Sequence, residues 1–174
     1  QYFPALIRAI DAAREAVWFE TYIFADDATG RLVAGALIRA AQRGVHVRAL
    51  VDGWGARFYL SAALEREMRD GGVDLQKYRP EVAPWQFRSH RLRRLHRKLC
   101  VVDGAIAFVG GINVIDDSNT PRQTPPRIDF AVAVEGPLLP EIEQTMQRVW
   151  GIVQLVRTGT SDLSLFPERR RGAR

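Results

Sequence analysis

Apolar positions in this chain follow two alternating rhythms. Phe3, Leu6, Ile7 and Ile10 recur at helical spacing and lead into Val17 to Phe24, a run of β-branched and aromatic residues that reads as a strand. The same change of rhythm follows twice more. Asp26, Asp27 and Thr29 offer N-caps to a helix striped by Leu32, Val33, Ala36, Leu37 and Ala40; Gly44 stands at its C-terminal end, before a strand over Val45 to Val51. A third helix, through Leu60, Leu64 and Met68 and closed by Gly71-Gly72, precedes a short strand from Val73 to Tyr78. Helices on both faces of a mostly parallel, mixed α/β sheet are the expected result.

Past Pro80 and Pro84 the pattern changes. Two apolar runs, Leu99 to Val102 and Ala105 to Val109, are joined by Asp103-Gly104, the chemistry of a two-residue hairpin turn. A loop with Pro121, Pro125 and Pro126 leads to a strand over Ile128 to Val134. Gly136-Pro137 then opens a last helix with the apolar face Leu138, Ile142, Met146, Val149 and Val153. No internal repeat is present. With 174 residues a single core is expected, in a domain spanning 1–157, with 158–174 as a linker or tail that loses periodicity. The chain opens at Gln1 directly in a helical pattern, as expected of a piece of a longer protein.

A two-residue turn would place Val102 opposite Ala105 and His96 opposite Gly111. Alternation then gathers His96, Lys98, Cys100 and Val102 on one face, joined by Val109, Gly111 and Asn113 from the partner strand. An imidazole, an ammonium and a carboxamide converge there, and Gly111 would leave room for a substrate atom over His96. His96 and Lys98 would stand about 7 Å apart along the strand, a span that a phosphate can bridge.

Composition narrows the reading. Hydrophobic residues at 47% and charged residues at 26% are ordinary globular values and exclude a mainly disordered or collagen-like chain. The single cysteine, Cys100, excludes an internal disulfide; its apolar neighbours suit a small buried hydrophobe and a reducing compartment. No run of about 18 apolar residues predicts a membrane span. The net charge of +5 is unevenly placed: six of the 25 Lys and Arg lie at Arg88, Arg91, Arg93, Arg94, Arg97 and Lys98 with no carboxylate between, and four more close the chain. The remainder holds 15 cations against 20 carboxylates, so the positive charge is local and points to an anionic partner met at one place. Lys98 also departs from the chain's habit, because 23 of its 25 cationic residues are arginines. A compact ammonium acts differently from a guanidinium at a phosphate.

The segment His96-Arg97-Lys98-Leu99-Cys100-Val101-Val102-Asp103, followed by Gly110-Gly111-Ile112-Asn113, resembles the His-x-Lys-x4-Asp motif of the phospholipase D superfamily. Over roughly residues 1 to 155 the chain is similar to the N-terminal half of bacterial cardiolipin synthases, through Glu20 to Phe24, Val51 to Gly55, Phe87 to Lys98, Gly110 to Asp116, Arg127 to Phe130 and Val134 to Pro137. The resemblance implies metal-independent, cofactor-free phosphodiester chemistry in two steps. His96 would attack the phosphorus of a phosphatidylglycerol-like phospholipid and form a phosphatidyl-histidine, and an alcohol would then take the phosphatidyl group. Lys98 and Asn113 would hold phosphate oxygens, Asp129 would orient His96, and Asp103 at the hairpin tip would be a motif residue without a proton-transfer role. Gly110, Gly111 and Arg91 belong to the expected substrate-binding set. Glu20 and Asp52, at strand ends, read either as part of the site wall or as cap and turn residues.

Two departures qualify the resemblance. Gly111 stands where many members carry Ser, although a glycine pair is familiar in cardiolipin synthases. Only one motif is present, because Arg48 and Leu92 stand two residues after His46 and His90. The family brings two motifs together, the second histidine serving as general acid, so a missing C-terminal half or a dimer partner is expected. A peripheral location on the cytoplasmic face of a bacterial inner membrane, against an anionic surface, is implied. Trp54, Phe58, Tyr59, Trp85 and Phe87, read as loop residues, suit a lipid headgroup interface or ordinary packing. A single-motif nuclease and a non-catalytic membrane-binding module are the alternatives; nucleic acid as a partner is disfavoured by the flanking sequence and Gly111.

Overall fold

The first three strands pair in parallel: β1 (Ala16–Thr21), β2 (His46–Asp52) and β3 (Asp74–Tyr78). They are separated by α2 (Ala28–Gln42), α3 (Gly53–Tyr59) and α4 (Ala62–Asp70), and α1 (Tyr2–Ala12) precedes them. Three more strands, β4 (Leu99–Val102), β5 (Ile106–Gly110) and β6 (Ala131–Val134), add to the other side of β1, and α5 (Leu139–Thr158) closes the fold. The sheet order is β3-β2-β1-β4-β5-β6. The computed structural model describes residues 1–80, 94–119, 124, 126 and 128–158. Trp85, Phe87, Arg88, Arg91, Arg93 and the tail from 159 onward lie outside the described residues.

The mixed α/β sheet with helices on both faces is therefore present, but two of its five pairings are parallel and three antiparallel. On one face Leu6, Ile10, Val33, Leu37, Leu64 and Met68 of α1, α2 and α4 cover Val17, Phe19, Ala49, Val51, Leu75, Cys100 and Phe108. On the other face Leu139 and Met146 of α5 cover Val101 and Ala107. Trp150 packs there with Leu50 and Leu95, and its ring meets that of Trp18 edge-on at 6.0 Å. Cys100 is fully buried, and burial pushes its thiol pKa up, as befits an inert packing residue. No helix among the described residues is long and apolar enough to cross a membrane.

Helix starts follow short polar side chains. Asp27 caps α2 by accepting from Gly30 N at 2.9 Å, and Ser61 caps α4 by accepting from Leu64 N at 3.0 Å, each worth about 1 kcal/mol. Asp52 accepts from both Trp54 N and Gly55 N, and so starts a helix in the stretch read above as loop. Trp54, Phe58 and Tyr59 are thus helical residues of α3.

The hairpin register also differs from the expected one. Val102 pairs with Ile106 and Leu99 with Val109, so the turn holds three residues, not two. Asp103 and Gly104 both take left-handed backbone angles, φ 51° and 59°, and Ala105 N donates to Val102 O at 2.9 Å. Packing explains the shift. The added residue sends Phe108 to the α1 face, edge-on to Tyr2 at 6.1 Å, and leaves the small Ala107 under α5; a one-residue slip would exchange them. β6 is shorter than expected, starting at Ala131, and α5 runs on to Thr158.

Candidate active site

At the open end of the hairpin, just before β4, His96 is exposed while Lys98 is buried behind it. The lysine side chain curls back along the strand. Its Nζ lies 3.3 Å from His96 Nδ1 and 3.5 Å from Nε2, and donates to His96 O at 3.2 Å. The separation read from strand spacing thus closes to hydrogen-bond range at the side-chain nitrogens. Tyr22, just past β1, supplies a floor: its ring lies 4.9 Å from the imidazole and 5.4 Å from Lys98 Nζ. Burial pulls the Lys98 pKa below the usual lysine range, and the charge of Asp129 partly offsets this.

The glycine pair serves two different neighbours. A Cβ on Gly110 would strike the backbone of Phe130 and Ala131, so this glycine lets β6 approach. A Cβ on Gly111 would strike the carboxylate of Asp129. The clearance at Gly111, expected to admit a substrate atom over His96, is occupied by Asp129. With the register shifted by one, Gly110 stands across from Lys98, to whose carbonyl its N–H donates at 3.2 Å. Asp129 lies on the exposed approach to β6, not in the strand, and its hydrogen bond among the described residues comes from Phe130 N at 2.8 Å. Asn113 accepts from Ile23 N at 3.1 Å through Oδ1, which leaves its Nδ2 without a partner among the described residues.

The other candidate carboxylates are held by the fold. Asp103 accepts from Arg14 N at 2.8 Å and from Glu15 N and Ala16 N at 2.9 Å each. Partial burial works against its charge, but these amides and the charge of Arg14 outweigh it and lower its pKa. The tip of the hairpin is thereby fastened to the start of β1. Asp52 is fully buried; while Oδ1 caps α3, Oδ2 accepts from Leu95 N at 2.8 Å. It supports the residue before His96 and presents no face to a ligand. Glu20, read either as part of the site wall or as a cap or turn residue, is 3% exposed and faces Arg97, whose Nη2 lies 3.0 Å from Oε1 and 2.8 Å from Oε2. Burial raises the Glu20 pKa to about 7 against the pull of Arg97.

Arg91 falls outside the described residues. Sequence reasoning does not single out Tyr22 and Arg97, because their contacts with His96 and Glu20 form between segments 70 or more residues apart; the only local signals are their places beside Glu20 and between His96 and Lys98. Among the described residues no three His, Cys, Asp or Glu side chains gather as metal ligands would.

Residues 6–150 match a family model described as "Cardiolipin synthase, PLD-like domain". The chain is 38% identical over 144 residues to cardiolipin synthase B of Escherichia coli K12, a match covering 83% of this chain and 35% of that protein. To cardiolipin synthase 1 of Bacillus cereus it is 32% identical over 151 residues, 86% of this chain and 29% of the relative. The chain thus spans about a third of the length of the curated relatives it matches. Among solved structures, the phospholipase D family member Nuc from Salmonella typhimurium superposes with a TM-score of 0.61 at 20% identity, covering 85% of this chain and 86% of that one. NucT from Helicobacter pylori gives 0.62 at 17% identity with the same coverage, and both show likeness of fold. The family match along most of its length, and relatives of this identity, establish that the chain belongs to the phospholipase D-like domain family of the cardiolipin synthases.

Proposed function

We propose that this chain is one catalytic half of a phosphatidyltransferase that joins phospholipids through a phosphatidyl-histidine at His96. The observation that carries the reading is the exposed imidazole held 3.3 Å from the ammonium of buried Lys98. An imidazole nitrogen attacks the phosphorus of a phosphatidylglycerol-like lipid, a P–N bond forms, and the bond from phosphorus to the headgroup oxygen breaks. The leaving alkoxide takes a proton from a general acid. In the second step the glycerol hydroxyl of another lipid attacks the same phosphorus, its proton returns to that acid, and the P–N bond breaks. Lys98 Nζ and Asn113 Nδ2 hold the non-bridging oxygens as charge builds on them. Asp129, packed on Gly111 beside Lys98, orients the imidazole.

Neither His46 nor His90 stands in a second His-x-Lys pattern, so the acid comes from the remainder of a longer protein or from a second copy of this half. The substrates place the protein at an anionic membrane, peripherally on the cytoplasmic face of a bacterial inner membrane. The test uses the full-length protein with phosphatidylglycerol vesicles and, separately, with plasmid DNA. Cardiolipin should form, and acid quenching should trap a phosphorus-labelled protein whose acid-labile label is absent in His96→Ala, with activity down at least about a thousandfold. Label retained in that variant would move the nucleophile elsewhere. Plasmid cleavage without lipid transfer would make the chain a nuclease, and vesicle binding without turnover would make it a non-catalytic module.

A further inference from the structure

The helix α3 has two unlike faces. Gly53, Gly55 and Ala56 are buried, whereas Trp54, Arg57 and Phe58 are exposed. A Cβ on Gly55 would strike the carbonyl of Tyr22, and one on Gly53 would lie 2.6 Å from Pro80 Cα, so small residues set the helix backbone directly on its neighbours. That close seat leaves the large residues at positions 54, 57 and 58 facing outward on one face. Trp54 and Phe58 are 39% and 63% exposed, and their rings meet edge-on at 5.5 Å. A guanidinium accompanies each ring: Arg94 Cζ lies 5.5 Å from the Trp54 ring and Arg57 Cζ lies 5.9 Å from the Phe58 ring. Among the described residues neither arginine is in an ion pair with a carboxylate.

We propose that Trp54, Phe58 and Arg57 form an interfacial anchor that seats the protein on an anionic phospholipid bilayer and brings His96 to the headgroups. The inference rests on the lipid reading of the site. Large aromatic rings settle at the boundary of headgroups and acyl chains, and an exposed guanidinium beside them, here that of Arg57, meets lipid phosphates. A second protein surface fits less well: two rings at these exposures offer roughly 200 Å², against about 800 Å² per partner in a stable interface.

The anchor is joined to the nucleophile twice. Asp52 starts α3 with one carboxylate oxygen and holds Leu95 N, next to His96, with the other. Gly55 packs on Tyr22, whose ring touches the imidazole. Seating the helix in a bilayer therefore sets the position of His96 relative to the membrane surface.

The test is binding of full-length protein to vesicles of phosphatidylglycerol with phosphatidylcholine and to vesicles of phosphatidylcholine alone. W54S/F58S should lower the partition coefficient to the mixed vesicles about tenfold or more. R57E should weaken binding to the mixed vesicles and leave binding to phosphatidylcholine as it was. Brominated lipid should quench tryptophan fluorescence, and W54F should lose most of that quenching. Unchanged binding by W54S/F58S, or unchanged quenching in W54F, overturns the anchor; a loss of self-association in either variant, with vesicle binding intact, assigns the face to a second copy. Wild-type turnover of a short-chain, monomeric phospholipid tests the catalytic reading separately. Turnover with unchanged vesicle binding by W54S/F58S removes the anchor alone, and no turnover with weakened binding removes the catalytic reading alone.

Discussion

The hairpin of β4 and β5 carries polar groups of the same motif at both ends, and the two ends treat them in opposite ways. At the closed tip Asp103 accepts from three backbone amides and holds the loop between α1 and β1 in place. At the open end Lys98 is buried with its nitrogen turned to His96, the imidazole is exposed, and the exposed Asp129 acts electrostatically on Lys98 while accepting, among the described residues, from Phe130 N. A polar group whose hydrogen bonds are all internal stabilises the fold, while one left with spare capacity beside a nucleophile can serve a substrate. His96, Lys98 and Asp103 are close in sequence, yet they divide into a contacting pair at one end and a fastener at the other.

Substitutions at the two ends can break this contrast. Among the supporting residues Gly111→Ala should have the largest effect and should act on turnover: the new methyl displaces the exposed Asp129 carboxylate, so activity should fall about a hundredfold while the melting temperature changes little. Gly110→Ala, one residue away, meets backbone and pushes β6 off the sheet. A loss of about 3 kcal/mol in denaturant unfolding is expected there. If Gly111→Ala unfolds the protein and Gly110→Ala does not, the assignment of neighbours to the two glycines is wrong.

Asp103→Ala should cost about 2 kcal/mol by removing an ionised acceptor from three amides and adding strain at a left-handed residue. The sign of its pH dependence follows from its lowered pKa. The contribution is present above the ordinary value of 3.8 and disappears as pH falls through the lower folded-state value, so the variant should lack that part of the acid transition. Turnover measured where the variant is folded should match the wild type; a large loss there would place Asp103 in the chemistry.

The smallest effect is expected for Glu20→Gln. Glu20 has its pKa raised, so the folded protein holds a proton that the unfolded chain has released, and wild-type stability should decline as pH rises from 4.5 through about 7. The glutamine variant should be flatter over that window, by about 1 kcal/mol, since Arg97 remains partly solvated. A slope equal to that of the wild type would mean that Glu20 stays ionised throughout.

Much of this architecture is written locally. Helical stripes in α1, α2 and α5, β-branched runs in β1 and β2, and Asp-Gly at the hairpin tip are short-range signals, and these elements formed on them, although β1 ends at Thr21, short of the expected end at Phe24. The structure departs from these signals where a distant partner decides. The third residue of the turn follows from which side of the sheet can receive Phe108, a matter of α1 and α5 packing. The helix α3 follows from Asp52, which the sequence alone leaves as either cap or site wall and whose bonds to Trp54 N and Gly55 N make it the cap.

The sequence by itself determined the class of fold, the motif, and the presence of an imidazole, an ammonium and a carboxamide at one end of one hairpin, because spacing along a strand is a local property. Only the tertiary structure decided what each polar group faces. Glu20 meets Arg97, Asp103 meets the start of β1, Asp129 fills the space at Gly111, and Lys98 lies over the Tyr22 ring. Those choices are electrostatic and steric, made between segments far apart in the chain, and no pattern of neighbours in sequence encodes them.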